Sequence, residues 1–169
     1  MQKARDLGIT SPLVPVPGLA LGQSEVTLLE LTSAYAAVAN DGIWHPPTTV
    51  RHLTDAERCQ PRCRSGEARQ VARPGRRVMK QSTARAMQQL LQAVVRSGTG
   101  TDAYVGGGAG GKTGTTNDAR DLLFVGYEPR RHWVMGIWLG NDDNRPTRAT
   151  SAMAASLWGE IIRSAPPSS

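Results

Sequence analysis

The residues best suited to chemistry lie together in this sequence. Gly106-Gly107-Gly108-Ala109-Gly110-Gly111 leads directly into Lys112-Thr113-Gly114-Thr115-Thr116. Gly106, four residues, then Gly111-Lys112-Thr113 spells a phosphate-cradling loop, in which backbone N–H groups and a lysine hold the anion. Such a loop needs an apolar strand just before it and a helix just after. Residues 101–105 make a poor strand and residues 114–117 a poor helix start, so nucleotide binding is the weaker reading of this stretch. Other chemistry-bearing residues are sparse. Cys59 and Cys63 sit four apart and could close a small loop in an oxidising compartment. With His52 they could also hold zinc, but a fourth ligand is missing, and two unrelated thiols on a variable loop is the default. Asp142-Asp143 resembles an acidic metal pair but follows a strand and reads as a solvated turn. His45, His52 and His132 are scattered and receive no role, and no metal or cofactor is expected.

The elements that must position the lysine follow from apolar spacing. Residues 25–40 carry Leu28, Leu31, Tyr35, Val38 and Ala39 at helical intervals, with Ser24 as N-cap and Asn40-Asp41-Gly42 as the stop. Ile43-Trp44 and Thr48-Thr49-Val50 suggest an extended segment or hairpin. Residues 82–96 form a second helix with Met87, Leu90, Leu91, Val94 and Val95 as its buried stripe. After the motif, residues 122–127 are a continuous apolar run, as expected of a strand covered on both faces. Glu128-Pro129-Arg130-Arg131 turns the chain into a second strand over 133–139. A third helix over 150–164 is expected to bury Met153, Leu157, Trp158, Ile161 and Ile162. Trp44, Trp133, Trp138 and Trp158 read as core or sheet packing. Thr116, Asn117, Arg120 and Asp121 should shape the turn leaving the motif strand, with Asp121 pairing with Arg120 or an upstream group. The order of elements is α+β with an antiparallel sheet.

Composition narrows the function classes. The 169 residues would fit one domain, with 39% apolar and 5% aromatic residues and a net charge of +6. No apolar run approaches the roughly 18–20 residues of a membrane span, and the first residues open no signal core. Most of the positive charge is local: Arg58, Arg62, Arg64, Arg69, Arg73, Arg76, Arg77 and Lys80, with Glu67 the only acid among them. Single-strand nucleic-acid binders interleave aromatics with cations, and this stretch has none. It reads as a solvated basic loop over 54–80, and no nucleic-acid partner is expected.

Lys112-Thr113-Gly114 is also the third motif of the active-serine penicillin-interacting enzymes. The match extends further. Leu7-Gly8-Ile9 with Leu19-Ala20-Leu21-Gly22, Glu25-Val26-Thr27 running into 34–42, and Val94-Val95-Arg96-Ser97-Gly98-Thr99-Gly100 all fit one family. So do Gly111–Asp118, Asp121, Phe124-Val125-Gly126-Tyr127 and Trp138-Leu139-Gly140-Asn141-Asp142-Asp143. The chain resembles the C-terminal part of the transpeptidase domain of class A (bifunctional) penicillin-binding proteins. The basic stretch departs most, where that family tolerates a variable linker.

The resemblance implies the α+β penicillin-binding-protein transpeptidase and serine β-lactamase-like fold, an antiparallel sheet with flanking helices and its N-terminal portion missing. Residues 1–165 would be the partial domain and 166–169 a tail. It implies a D-Ala-D-Ala transpeptidase of peptidoglycan cross-linking, with a stem peptide or β-lactam as partner, working at the extracytoplasmic face of the cytoplasmic membrane. Lys112 would be the catalytic cation, and Thr113, Gly114, Thr115 and Thr116 the substrate-binding strand. Gly114 would let substrate approach, Thr113 would lean away and pack, and Thr115 would offer an N–H to an oxyanion and a hydroxyl to a carboxylate.

The family's Ser-x-x-Lys nucleophile motif and Ser-x-Asn motif are both absent. Lys3, Lys80 and Lys112 have no serine three residues before them, and no Ser-x-Asn is spelled. A nucleophile and base acting as a unit lose nearly all rate when one is removed. The sequence therefore predicts a fragment inactive alone, either a remnant or a half-domain completed by a separate N-terminal part. It also predicts that residues 122–127 expose apolar surface without that part, leaving the chain marginally stable or prone to aggregate.

Overall fold

The computed structural model describes residues 1–49 and 74–166, together with two short strands at 52–53 and 69–70. Its elements in chain order are α1 (Gln2–Asp6), α2 (Leu28–Ala39), β1 (Ile43–Trp44), β2 (His52–Leu53), β3 (Arg69–Gln70), β4 (Arg76–Arg77), α3 (Gln81–Ser97), β5 (Gly110–Thr115), β6 (Asp121–Glu128), β7 (Trp133–Gly140) and α4 (Ser151–Ser164). The main sheet is antiparallel in the order β5-β6-β7. Lys112 lies opposite Val125 and Gly114 opposite Leu123, while Phe124 lies opposite Ile137 and Leu123 opposite Trp138.

α2 starts at Leu28, three residues later than the apolar spacing suggests. Thr27-Leu28-Leu29-Glu30 is a capping box: the Glu30 N–H donates to Thr27 Oγ1 (3.2 Å) and the Thr27 N–H to Glu30 Oε2 (3.1 Å). Ser24 is no cap; its hydroxyl accepts from the Val14 N–H instead. The expected stop holds, with Asp41 (φ 49°) and Gly42 (φ 87°) both left-handed.

Helices cover both faces of the sheet. On one side Trp158 of α4 packs on Phe124 (ring centroids 5.4 Å apart), joined by Val95, Ala103, Ala109, Ala154, Ala155 and Ile162. On the other, Val38 of α2 and Leu91 of α3 meet Tyr127, whose hydroxyl donates to the Gln88 carbonyl (3.0 Å). Leu122, Phe124, Val125 and Tyr127 are consequently buried. The expectation of an exposed apolar β6 is therefore corrected: α2, α3 and α4 suffice to cover the central strand.

Exposure falls on the helices. In α4 the residues turned to the sheet are Ala154, Ala155, Trp158, Gly159 and Ile162, whereas Met153 (56% exposed) and Leu157 face outward, contrary to the spacing. Small residues bring α4 close: a Cβ on Gly159 would lie 2.9 Å from the Asp102 carbonyl. The same happens in α3, where Ala84, Leu91 and Val95 are buried while Met87 and Leu90 (62%) are exposed. Of the tryptophans only Trp158 is fully buried; Trp133 and Trp138 are 42% and 43% exposed. Glu128 belongs to β6 rather than to the turn after it. It is fully buried and accepts from the Arg131 N–H (2.8 Å) and Arg130 Nε (2.9 Å), closing the hairpin.

β1 makes no local hairpin. It pairs with β4, Ile43 opposite Arg77 and Trp44 opposite Arg76, so the end of the 54–80 stretch is strand rather than loop. The Arg76 guanidinium lies over the Trp44 ring, 4.8 Å from its centroid. The thiols Cys59 and Cys63, the side chains of His52 and Arg69, and Arg58, Arg62, Arg64 and Arg73 lie outside the described residues. Among the described residues no cluster of metal-ligating side chains occurs, and no helix is long and apolar enough to cross a membrane.

Candidate functional site

The glycine tract approaches β5 through three consecutive left-handed residues, Gly106, Gly107 and Gly108 (φ 73°, 65° and 81°). Residues 101–103 form a short turn before it, and the strand β5 follows. The helix whose N-terminus a phosphate-cradling loop requires is not there, so the nucleotide reading loses its structural context. Gly111 and Gly110 are demanded by packing. A Cβ on Gly111 would lie 2.5 Å from Phe124 Cζ, and one on Gly110 2.6 Å from the Tyr127 hydroxyl.

Gly114 differs. A Cβ there would meet only Leu123, at 3.4 Å, an ordinary van der Waals contact. Nothing inside the described fold requires glycine at 114. Next to it, Lys112 is exposed, and its Nζ donates to the Thr113 carbonyl (3.0 Å). That contact places the Thr113 carbonyl on the edge of β5 facing away from β6. Antiparallel strands send both backbone groups of alternate residues to one edge, so Thr115 presents its N–H and C=O there too. Among the described residues β5 pairs only with β6, so the site is an unpaired strand edge with a cation lying over it, backbone donors and acceptors in a row, and a residue without a side chain between them.

The flanking threonines support this edge. Thr113 is buried, its Oγ1 2.7 Å from Thr99 Oγ1 and within reach of the Lys112 ammonium, which donates to it at 3.4 Å. Thr99 has no sequence signal beyond its place in the Ser97-Gly98-Thr99-Gly100 turn. Thr116 is held by Asp121: its N–H donates to the Asp121 carbonyl (3.0 Å), its hydroxyl donates to Asp121 Oδ2 (2.9 Å), and Thr116 Oγ1 accepts from the Asp121 N–H (2.8 Å). The other carboxylate oxygen accepts from Trp138 Nε1 (2.8 Å), a partner the sequence did not reveal. Arg120 turns instead to Asp118 (3.7 Å) and the Asn144 carbonyl. Asp118 and Ala119 are left-handed (φ 60° and 52°), and Thr147 fixes that turn through the Ala119 carbonyl. Lys112, Thr113, Gly114, Thr115 and Thr116 are therefore brought together, with Thr113 buried, Thr116 tied to Asp121 at the surface, and Lys112, Gly114 and Thr115 at the edge.

Two surface clefts lie away from this edge. One is bordered by Thr10, Ser11, Glu30, Ser33 and Trp44, the other by Ala4, Ile9, Leu13, Leu19, Val26 and Leu31. In the first, the Glu30 carboxylate accepts from the N–H and hydroxyl groups of Thr10, Ser11 and Thr27. Led by the Ser11 and Thr10 hydroxyls, these bonds hold its pKa far below the usual carboxylate range.

Comparison with known proteins gives a consistent result. The family model described as the penicillin binding protein transpeptidase domain matches residues 16–163. Penicillin-binding protein 1B of Vibrio cholerae is 34% identical over 146 residues, covering 83% of this chain and 17% of that protein. Penicillin-binding protein 1A of Aquifex aeolicus is 37% identical over 156 residues, covering 89% of this chain and 20% of that protein. The chain thus spans about a fifth of the length of the curated relatives it matches. Among solved structures, penicillin binding protein 3 of Mycobacterium tuberculosis complexed with aztreonam superposes with a TM-score of 0.70 at 26% identity, covering 98% of this chain and 47% of that one. Penicillin-Binding Protein 1A of Haemophilus influenzae, at 19% identity and a TM-score of 0.73, shares the fold over 98% of this chain and 31% of its own.

Proposed function

The chain belongs to the transpeptidase-domain family of the penicillin-binding proteins, and on that premise we propose that β5 is the substrate-binding wall of a serine D,D-transpeptidase cleft. The substrate is a peptidoglycan stem peptide ending in D-Ala-D-Ala, or a β-lactam in its place. It lies along the free edge of β5 as an added strand. Lys112 leaves the Thr113 carbonyl and balances the terminal carboxylate. Gly114 admits the backbone, and the Thr115 N–H faces the carbonyl oxygen that becomes negative. The serine that attacks the penultimate D-Ala carbonyl is outside these 169 residues. It forms an acyl-enzyme as terminal D-Ala leaves, and an amine of a neighbouring stem then takes the acyl group. The place of work is the extracytoplasmic face of the cytoplasmic membrane, where stem peptides are.

The single observation behind this reading is the combination at β5 of an exposed lysine, a free edge and a glycine that no internal packing requires. The test is co-production with the serine-bearing N-terminal part of the same domain from a relative, followed by labelling with a fluorescent penicillin. The serine-bearing part should label only in the pair, and Lys112→Ala should lower labelling by roughly 10²-fold or more. Labelling of this chain alone, or labelling of the pair indifferent to Lys112→Ala, refutes the assignment. A second reading, an inert remnant, is favoured by the missing Ser-x-x-Lys and wins if the pair never labels.

A further inference from the structure

A second hydroxyl stands behind the exposed lysine of β5. Lys112 Nζ rests on two atoms of its neighbour, the Thr113 carbonyl at 3.0 Å and Thr113 Oγ1 at 3.4 Å. Thr113 is buried, and its Oγ1 lies 2.7 Å from Thr99 Oγ1. Thr99 follows the end of α3 and reaches the strand from outside the sheet.

The directions of these bonds follow from what each group can give. An ammonium has protons only to donate, so Thr113 Oγ1 accepts from Lys112. A hydroxyl has a single proton, and that of Thr113 then turns to Thr99 Oγ1. Thr99 is exposed and sends its own proton outward. The three groups form a row, ammonium to hydroxyl to hydroxyl, in which each bond polarises the next.

The backbone on either side holds the Thr99 oxygen in place. The N–H groups of Gly98 and Gly100 both donate to the Val94 carbonyl, at 3.0 and 3.2 Å. A Cβ on Gly98 would lie 2.9 Å from that carbonyl oxygen, and one on Gly100 3.2 Å from the Phe124 ring. Phe124 is the residue opposite Thr113 on β6. The turn is therefore seated on the same cross-strand pair whose hydroxyl it meets.

We propose that Thr99 is a positioning residue of the β5 site. Its oxygen takes the Thr113 proton, so the Thr113 hydroxyl and carbonyl together hold the Lys112 ammonium over the strand edge where a substrate carboxylate arrives. The inference rests on the reading of β5 as the substrate-binding wall of a transpeptidase. Without the Thr99 oxygen the Thr113 proton has no partner and turns toward the ammonium, which then loses one of its two rests. The loss falls on recognition of the carboxylate, because the attacking serine lies outside these residues.

The test pairs the whole chain with the serine-bearing N-terminal part of a relative's transpeptidase domain. Acylation by a penicillin free acid and by its uncharged methyl ester is compared. Thr99→Val nearly keeps the shape and removes the oxygen; Thr99→Ser keeps the oxygen. Thr99→Val should lower the acid-to-ester ratio roughly tenfold, and Thr99→Ser should bring it back to within about threefold of the native pair. The change should appear in the half-saturating concentration of the acid rather than in the limiting acylation rate. With Lys112→Ala present, Thr99→Val should lower the ratio no further. In the chain alone, three-bond couplings of the Thr113 methyl should report one χ1 rotamer for the native and Thr99→Ser forms and averaging for Thr99→Val, with thermal melts confirming that each folds. A labelling pair whose ratio ignores Thr99→Val overturns the inference and leaves the β5 reading standing. So do equal losses with acid and ester, losses that add to that of Lys112→Ala, or a Thr113 rotamer that Thr99→Val leaves fixed. A pair that never labels overturns the β5 reading and the inference with it.

Discussion

Replacing Gly111 and Gly114 by alanine, one at a time, separates a glycine the fold needs from one it does not. The two residues sit three apart on the same strand, neither with a left-handed backbone. At Gly111 the new methyl would lie 2.5 Å from Phe124 Cζ and 2.8 Å from the Val125 carbonyl. Phe124 cannot yield easily, being fully buried against Trp158. Overpacking of this kind costs about 1–3 kcal/mol, offset by about 0.4–1 kcal/mol from the smaller entropy of the unfolded alanine chain. The net expectation is a loss of about 1–2 kcal/mol, or a fall in Tm of about 2–8 °C. At Gly114 the methyl meets Leu123 at 3.4 Å, so the entropy effect stands nearly alone and stability should hold or rise by up to about 1 kcal/mol. Urea titrations with matched m-values measure both. In the reconstituted domain Gly114→Ala should nonetheless impair penicillin labelling, because the methyl occupies the path of the ligand backbone. Equal destabilisation by the two substitutions would refute this reasoning, as would a neutral Gly111→Ala.

Trp158→Ala should cost about 3–5 kcal/mol by emptying the space between α4 and Phe124. Trp158→Phe should cost far less, since the buried indole N–H has no partner to lose; thermal melts distinguish them. Glu30 should contribute to the loss of stability in acid. Its folded pKa is depressed below the 4.5 of the free group, so its contribution is complete above that value and fades as pH falls through and below it toward the folded pKa. Urea midpoints measured from neutral pH down to about 3 should therefore fall more steeply for the native chain than for Glu30→Gln, and parallel curves would contradict the Glu30 network.

The sequence determined the chemistry-bearing strand and its neighbourhood. The apolar run at 122–127 and its hairpin partner are contiguous, so β6 and β7 and the stops at 40–42 were legible from local pattern, while β5 was expected only from the family resemblance of Lys112-Thr113-Gly114. Helix faces were less so. Apolar spacing nominated Met87, Leu90, Met153 and Leu157 for the interior, but Ala84, Ala154, Ala155 and Gly159 are the buried residues, and at Gly159 the Asp102 carbonyl lies 2.9 Å from where a Cβ would be. The start of α2 was written in the Thr27–Glu30 capping box, yet Ser24 offered an equally good cap by type. What chose between them was the reach of Glu30 to Thr10 and Ser11, about twenty residues earlier in the chain. Tertiary structure alone decided that Asp121 also holds Trp138, that β1 pairs with β4 across the basic stretch, and that α2, α3 and α4 cover β6. Each joins residues distant in sequence, and no local period encodes which distant groups meet. The lysine and its glycine declared the kind of site, and the three-dimensional packing set them on an edge of β5 that no other described strand pairs with.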